Sequence, residues 1–132
     1  HTMASRGLII ASQTQIRYIQ RDEQYHCEAF ATLIKLYKEE EPEVFNKYID
    51  MIYDMFKTAV EWEIKFSNSV IGNKILGITE QSIEDYTYYI ANQRLKDIGL
   101  EPIFDERENP YKHLEKIASI EDETSNRSNQ FE

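Results

Sequence analysis

Apolar residues recur every three or four positions through the first third of the chain, the spacing of one face of an α-helix. The apolar members of this series between residues 16 and 37 are Ile16, Ile19, Phe30, Leu33 and Tyr37. Glu23 and His26 occupy the two positions of the series that lie between Ile19 and Phe30. The pattern therefore predicts a long helix over residues 5–38, with a carboxylate and an imidazole set into its apolar stripe.

The same spacing and clear end signals predict two further helices. Pro42 suits the first turn of the second helix, predicted over residues 43–67, because proline has no N–H group to leave unpaired there. The third helix is predicted over residues 79–97, with Thr79 as its N-terminal cap and Gly99 just beyond its end. Glycines and prolines fall mostly between these segments, so the chain is predicted to be all-α.

The second helix has apolar side chains on two sides. One side carries Phe45, Ile49, Ile52, Phe56, Ala59 and Phe66; the other carries Tyr48, Met51, Met55 and Trp62. Two apolar sides indicate a helix contacted by more than one neighbour, as in a bundle or at a subunit interface. Glu63 extends the first side, where a position at the rim or in a salt bridge is the simpler interpretation. On the third helix the inward side is predicted to carry Ile83, Tyr86, Ile90 and either Gln93 or Arg94.

Beyond the third helix the chain changes character. We expect residues 1–100 to form the helical part and residues 101–132 to be rich in loops, with a short helix over 111–117. Asn109-Pro110 interrupts this segment, and residues 121–130 are polar. His113 lies here and is interpreted as a surface or packing residue.

Composition narrows the possible functions. The 132 residues fit one domain, and the net charge of −9 without a long basic run argues against a nucleic-acid partner. No run of eighteen apolar residues occurs, so no membrane association is expected. Cys27 is the single cysteine, which rules out a disulfide framework and favours a reducing, cytoplasmic location.

Glu23 and His26 are the candidate metal ligands. Burying an unpaired charge costs several kcal/mol, and a shared cation would offset the carboxylate charge and take the imidazole nitrogen as a ligand. Glu-x-x-His is also the inward ligand pattern of di-iron and di-manganese four-helix bundles. The same spacing arises by chance on many helices, where the two side chains are solvated or hydrogen-bonded. Their place within the apolar stripe favours the metal site.

Several segments together resemble the small subunit of class I ribonucleotide reductases. Arg6-Gly7-Leu8 with Arg21-Asp22-Glu23-x-x-His26 is similar to the metal-binding helix of that family. Further similar segments follow in family order: Ala59–Glu63, Ile75–Ile78, Tyr88–Leu95 with Gly99-Leu100, Pro102-x-Phe104 with Asn109-Pro110, and Asn129–Glu132 at the start of the C-terminal tail.

The resemblance implies a ferritin-like helical bundle. It assigns Glu23 and His26 as the last two ligands of a dinuclear iron, or manganese/iron, centre. Asp22 matches an aspartate that hydrogen-bonds towards a ligand histidine in the radical-transfer chain. In the intact family protein the metals generate an oxidant, commonly a tyrosyl radical. The large catalytic subunit uses this radical to reduce ribonucleotides to deoxyribonucleotides.

The resemblance also implies that the chain is the C-terminal half of such a subunit, with the remaining ligands and the usual radical tyrosine supplied from outside it. The expected partners are the N-terminal half, a second small subunit in a homodimer-like assembly, and the large subunit. Alone, the chain is expected to be catalytically inactive and to self-associate or require its complementary half.

Two other functions stay open at this point. The chain could belong to a different di-metal oxidase of the ferritin-like superfamily, although such an oxidase needs no tail that engages a large subunit. It could also be a non-catalytic helical interaction module descended from the reductase. The nine tyrosines permit a radical site, but the sequence singles out none of them.

Overall fold

The chain is helical throughout its regular part. A computed structural model describes residues 10–75 and 77–112, including their side chains except at positions 10–14 and 17. Three helices follow one another: α1 (Ile10–Glu40), α2 (Pro42–Val70) and α3 (Glu80–Asp97). No strand occurs among these described residues, and the predicted all-α class is confirmed. The predicted start of the first helix at residue 5 and most of the predicted short helix over 111–117 lie outside them.

A single residue, Glu41, joins α1 to α2. Its backbone N–H donates to the Tyr37 carbonyl (2.9 Å) and closes the last turn of α1. Glu41 itself is not helical, and Pro42 follows as the first residue of α2, as predicted. One helix thus ends at Glu40 and a separate helix begins at Pro42, because proline tolerates the first turn of a helix but blocks continuation of the preceding one.

α2 ends in a hydrogen-bonded turn. α2 continues to Val70, three residues beyond the prediction, and its last turn is closed by hydrogen bonds from the Ile71 and Gly72 N–H groups to the Ser67 carbonyl. A Cβ atom on Gly72 would stand 2.6 Å from the carbonyl oxygen of Asn68, so the turn requires glycine there.

Thr79 caps α3, as predicted. The Ser82 N–H donates to Thr79 Oγ1 (3.0 Å), and the Thr79 N–H donates to Ser82 Oγ (2.8 Å). This reciprocal pair is a capping box and pairs two donors that a helix start otherwise leaves without an intrahelical acceptor.

Contacts divide the chain into two units, residues 1–24 with 110–132 and residues 25–109. In the first, the structure describes helical residues 10–24 and the turn at 110–112. The second has a core centred on the end of α3, and its buried members are Phe45, Leu95, Ile98 and Leu100. Packed against them are Ala31, Ile34, Ile49, Ile52, Tyr53, Phe56 and Phe104. The first apolar side of α2 therefore faces this core between Phe45 and Phe56. Beyond that point Ala59 is exposed, and Val60 is buried instead.

The inward side of α3 differs in part from the prediction. Ile83 is buried as expected, together with Ala91, Asn92 and Leu95. Tyr86, predicted to face inward, is 38% exposed. Of the two alternatives further along, Gln93 is half-buried, and Arg94 lies at the surface and forms an ion pair with Asp97 (3.0 Å). Apolar spacing misjudges this face because its centre holds a small residue and a polar residue, which carry little hydrophobic signal.

Candidate metal-binding helix

The candidate ligands lie on one continuous helix. Asp22, Glu23 and His26 are all within α1, and Glu23 and His26 are separated by three positions, about one helical turn. The division between the two units falls after Gln24, so Glu23 belongs to one unit and His26 to the other. Both side chains are exposed in the single chain.

The apolar stripe around these positions is also exposed. Phe30 is 65% exposed and Leu33 is 59% exposed, although both belong to the series that defines the stripe. Ile34, one position further round the helix, packs against the core instead. Among the residues that the structure describes, the stripe that carries Glu23 and His26 is thus exposed, and burial of the two groups would need a further polypeptide segment.

Asp22 pairs with its neighbour on the helix. Arg21 Nη2 lies 3.5 Å from Asp22 Oδ1, and both side chains are 59% exposed. The Arg21 guanidinium also lies over the ring of Tyr18, 5.2 Å from its centroid. An ion pair this exposed contributes little to stability, about 0–1 kcal/mol, so it can give way to another partner at small cost.

A second apolar surface runs along α2, on the side away from the core. Its exposed members are Tyr48, Met51, Met55, Trp62 and Phe66. The rings of Trp62 and Phe66 stack with centroids 5.4 Å apart and nearly parallel planes. An exposed surface of large aromatic and methionine side chains marks a place where another protein segment packs. Phe66, assigned by spacing to the core side, belongs to this surface.

The described residues provide only part of a metal site. Within residues 10–75 and 77–112, no three His, Cys, Asp or Glu side chains are grouped to hold a metal ion. Glu63 accepts a hydrogen bond from Ser67 Oγ (2.7 Å) at the surface, in line with the simpler interpretation of that residue. A carboxylate and an imidazole one turn apart fit iron or manganese by donor chemistry, but they leave most coordination positions open. The residues therefore fit one part of a shared centre.

Other candidates have ordinary surroundings. Tyr88 is half-buried and stacks on Phe104, consistent with a packing role. Cys27 is an exposed thiol. His113 lies outside the described residues. None of the three helices in the described part of the chain has the length and apolar character that crossing a membrane requires.

Sequence reasoning missed Asn92. This residue is 7% exposed in the middle of α3, and its side chain bonds both backbone groups of Phe104. The available signal was an asparagine inside a predicted helix, a position that its helix propensity disfavours unless the amide has a specific partner.

Comparison with known proteins places these features in a family. A profile of the ribonucleotide reductase small chain matches residues 1–110. The beta subunit of ribonucleoside-diphosphate reductase from Treponema pallidum is 37% identical over 95 residues, covering 71% of this chain and 27% of that protein. The beta subunit from Halalkalibacterium halodurans is 31% identical over 134 aligned positions, covering 100% of this chain and 38% of that protein.

Solved structures agree. The R2 subunit of ribonucleotide reductase from Clostridium botulinum superposes with a TM-score of 0.80 at 33% identity, covering 87% of this chain and 37% of that chain. The ferritin-like helical fold implied by the sequence is therefore confirmed. The chain spans between 27% and 38% of the length of these relatives.

Proposed function

Because the chain belongs to the ribonucleotide reductase small-chain family, we propose that it forms part of the radical-generating small subunit of a class I ribonucleoside-diphosphate reductase. In the assembled subunit, α1 contributes two ligands to a dinuclear metal centre, and the large subunit uses the resulting radical to make deoxyribonucleotides. The observation that carries the proposal is the position of Glu23 and His26 on an exposed apolar stripe of a helix that matches the family.

Glu23 and His26 would hold the metal. Each must be deprotonated at its donor atom, so the carboxylate and the neutral imidazole are the binding forms. When bound, a dinuclear iron or manganese/iron centre supplies the oxidising equivalent from which the radical is made. Asp22 would accept a hydrogen bond from a ligand histidine and so orient its ring. The weak, exposed pairing of Asp22 Oδ1 with Arg21 would not prevent this hydrogen bond, because a carboxylate can accept several.

The exposed apolar surfaces support the proposed partners. The stripe of α1 and the outer surface of α2 each need covering, and every Å² of apolar area removed from water contributes about 25 cal/mol. We assign the cover to the other helices of a small subunit, supplied by its N-terminal half. A second small subunit and the large catalytic subunit complete the assembly, with residues 101–132 leading to the contact with the large subunit. The reducing cytoplasm is the expected setting.

Co-expression tests this proposal. The chain is produced with an N-terminal half that carries the other ligands, and the purified assembly is analysed for iron and manganese and for a radical signal in paramagnetic resonance. We expect metal and a radical in the assembly and neither in the chain alone. An assembly that forms but takes up no metal would contradict the reductase function.

One alternative rests on a specific observation. Because the described residues hold no group of three metal donors, the chain could act as a non-catalytic helical interaction fragment. The same co-expression separates the two functions, since such a fragment would bind the complementary half without raising its metal content. A different ferritin-like oxidase is disfavoured by the relatives above, which are named as ribonucleoside-diphosphate reductase subunits.

A further inference from the structure

The irregular segment after α3, residues 101–107, is tied back to the helices by specific hydrogen bonds. Asn92 Nδ2 donates to the Phe104 carbonyl (3.0 Å), and the Phe104 N–H donates to Asn92 Oδ1 (3.2 Å). The asparagine thus pairs with both backbone groups of one residue, as a neighbouring β-strand would. At the start of the segment, the Tyr53 hydroxyl donates to the Glu101 carbonyl (3.3 Å).

Two further contacts hold the same segment to the same side of α3. The ring of Phe104 stacks on Tyr88, with centroids 5.6 Å apart and planes inclined by 25°. Arg107 Nε lies 3.2 Å from Asp85 Oδ1, and its guanidinium lies over the Tyr88 ring at 5.9 Å. Asp85, Tyr88 and Asn92 are three and four residues apart, so they follow one face of the helix.

The buried amide of Asn92 fixes the register of the segment on α3, which apolar contacts cannot do. Leu95, Ile98 and Leu100 already bury the end of α3, and an apolar residue at position 92 would bury equally well. Apolar contacts are non-directional and would let the segment shift along the helix, whereas a pair of hydrogen bonds to Phe104 permits one register. A buried amide also loses free energy if its partner moves away, which penalises any other register.

We propose that Asn92 is a positioning residue. Its two hydrogen bonds to Phe104 hold residues 101–107 against α3 in a single register, and this register sets how the segment is presented to the large reductase subunit. The proposal rests on the proposed function for its partner, because that function assigns the C-terminal stretch to the large subunit. The attachment of residues 101–107 to α3 is argued only from the contacts of Asn92 and Phe104.

The test compares Asn92→Asp with the wild type in the assembled small subunit. The carboxylate keeps an acceptor for the Phe104 N–H but loses the donor and places negative charge against the Phe104 carbonyl. We expect hydrogen-exchange protection of the Phe104 amide to fall at least about tenfold, which corresponds to about 1.4 kcal/mol. The concentration of large subunit giving half-saturation is expected to rise several-fold, with metal content unchanged.

Gln93→Glu is the matched control, since it adds the same charge at the next position, where the side chain is only half-buried. It should leave both the protection of Phe104 and the half-saturating concentration at wild-type values. Arg107→Gln is a second test variant, which removes the partly buried pairing with Asp85 and the pairing with Asp105, and it lies outside α3. It should loosen the segment less than Asn92→Asp does, and it should also weaken binding of the large subunit. Arg107→Gln therefore keeps the proposal testable if Asn92→Asp fails to fold.

The outcomes separate the parts of the proposal. Unchanged hydrogen-exchange protection of the Phe104 amide in Asn92→Asp would show that Asn92 does not hold the segment. Lost protection with unchanged binding of the large subunit would overturn the positioning role. If the wild-type assembly binds no large subunit, the proposed function and the positioning role both fail. Hydrogen exchange at the Phe104 amide still decides whether Asn92 holds the segment against α3.

Discussion

Glu23 and His26 provide the sharpest prediction at the scale of single residues. If each donates one ligand atom to a shared centre, Glu23→Ala and His26→Ala each remove a coordination bond that water replaces poorly. We expect iron and manganese in the co-expressed assembly to fall to background in both variants, as measured by elemental mass spectrometry.

Glu39→Ala is the control for these variants, because Glu39 is an exposed glutamate near the other end of α1. It should bind the wild-type amount of metal. Metal stoichiometry that stays at the wild-type value in Glu23→Ala and His26→Ala would remove both residues from the ligand set.

Asp22 is predicted to act on turnover rather than on metal uptake. Asn has nearly the same shape but lacks the negative charge that holds a histidine ring in orientation. Asp22→Asn should therefore keep the metal content and the radical signal but lower the turnover of ribonucleotide about 10–100-fold. Spectra recorded beside an activity assay on one sample make the comparison. Equal turnover in variant and wild type would contradict a role in radical transfer.

How far the candidate site follows from sequence depends on the residue. Glu23 and His26 could be located because they are polar residues at two positions of a regular apolar series, and this interruption is visible from the helical spacing alone. Their exposure in the chain could not be foreseen from spacing alone, since an apolar stripe looks the same whether its cover is internal or comes from another polypeptide. Asn92 could not be assigned, because its partner Phe104 lies in an irregular segment without periodicity.

At the scale of single helices, the stability of α3 depends on its N-terminal cap, Thr79, which can be recognised in the sequence. Thr79→Ala removes the acceptor for the Ser82 N–H and one half of the capping box. The expected loss is about 1 kcal/mol in the free energy of unfolding. Chemical denaturation of the assembled subunit, followed by circular dichroism, measures it.

Gln81→Ala is a suitable comparison for the cap. Gln81 lies in the first turn of the same helix, is exposed, and its side chain bonds only Asp85 among the contacts described (3.0 Å). Its replacement should change stability by less than about 0.5 kcal/mol. A Thr79→Ala loss no larger than this would mean that the α3 cap contributes little in the assembly.

The helices illustrate which elements are encoded locally. Pro42 and Thr79 mark the starts of α2 and α3 correctly, because missing N–H groups and capping hydroxyls act within a few residues. The prediction of the inward face of α3 was partly wrong. The buried face includes Ala91 and Asn92, where close packing and a hydrogen bond to a residue distant in sequence outweigh apolar spacing. Local chemistry sets helix ends, whereas tertiary contacts decide which face is buried.

At the scale of the whole molecule, the apolar surface on α2 predicts how the chain behaves alone. The core-facing side of this helix is occupied by α1, α3 and the segment after it, while Met55 and Trp62 remain 63% and 65% exposed. Contiguous exposed surface of this kind drives association in water. We therefore expect the isolated chain to sediment as oligomers rather than as a compact monomer, and to form a discrete complex when the complementary half is added.

Met55→Glu tests whether this surface is responsible. A charge placed in the middle of the surface should reduce self-association and weaken binding of the complementary half at least about tenfold, since a buried charge without a partner is costly. The helix content should stay unchanged, because Met55 does not belong to the core. Asn46→Glu adds the same charge on an exposed part of α2 away from this surface and should sediment like the wild type. If Met55→Glu self-associates as strongly as the wild type, some other part of the chain joins the molecules. If Met55→Glu also binds the complementary half as strongly as the wild type, the α2 surface is not where that half binds.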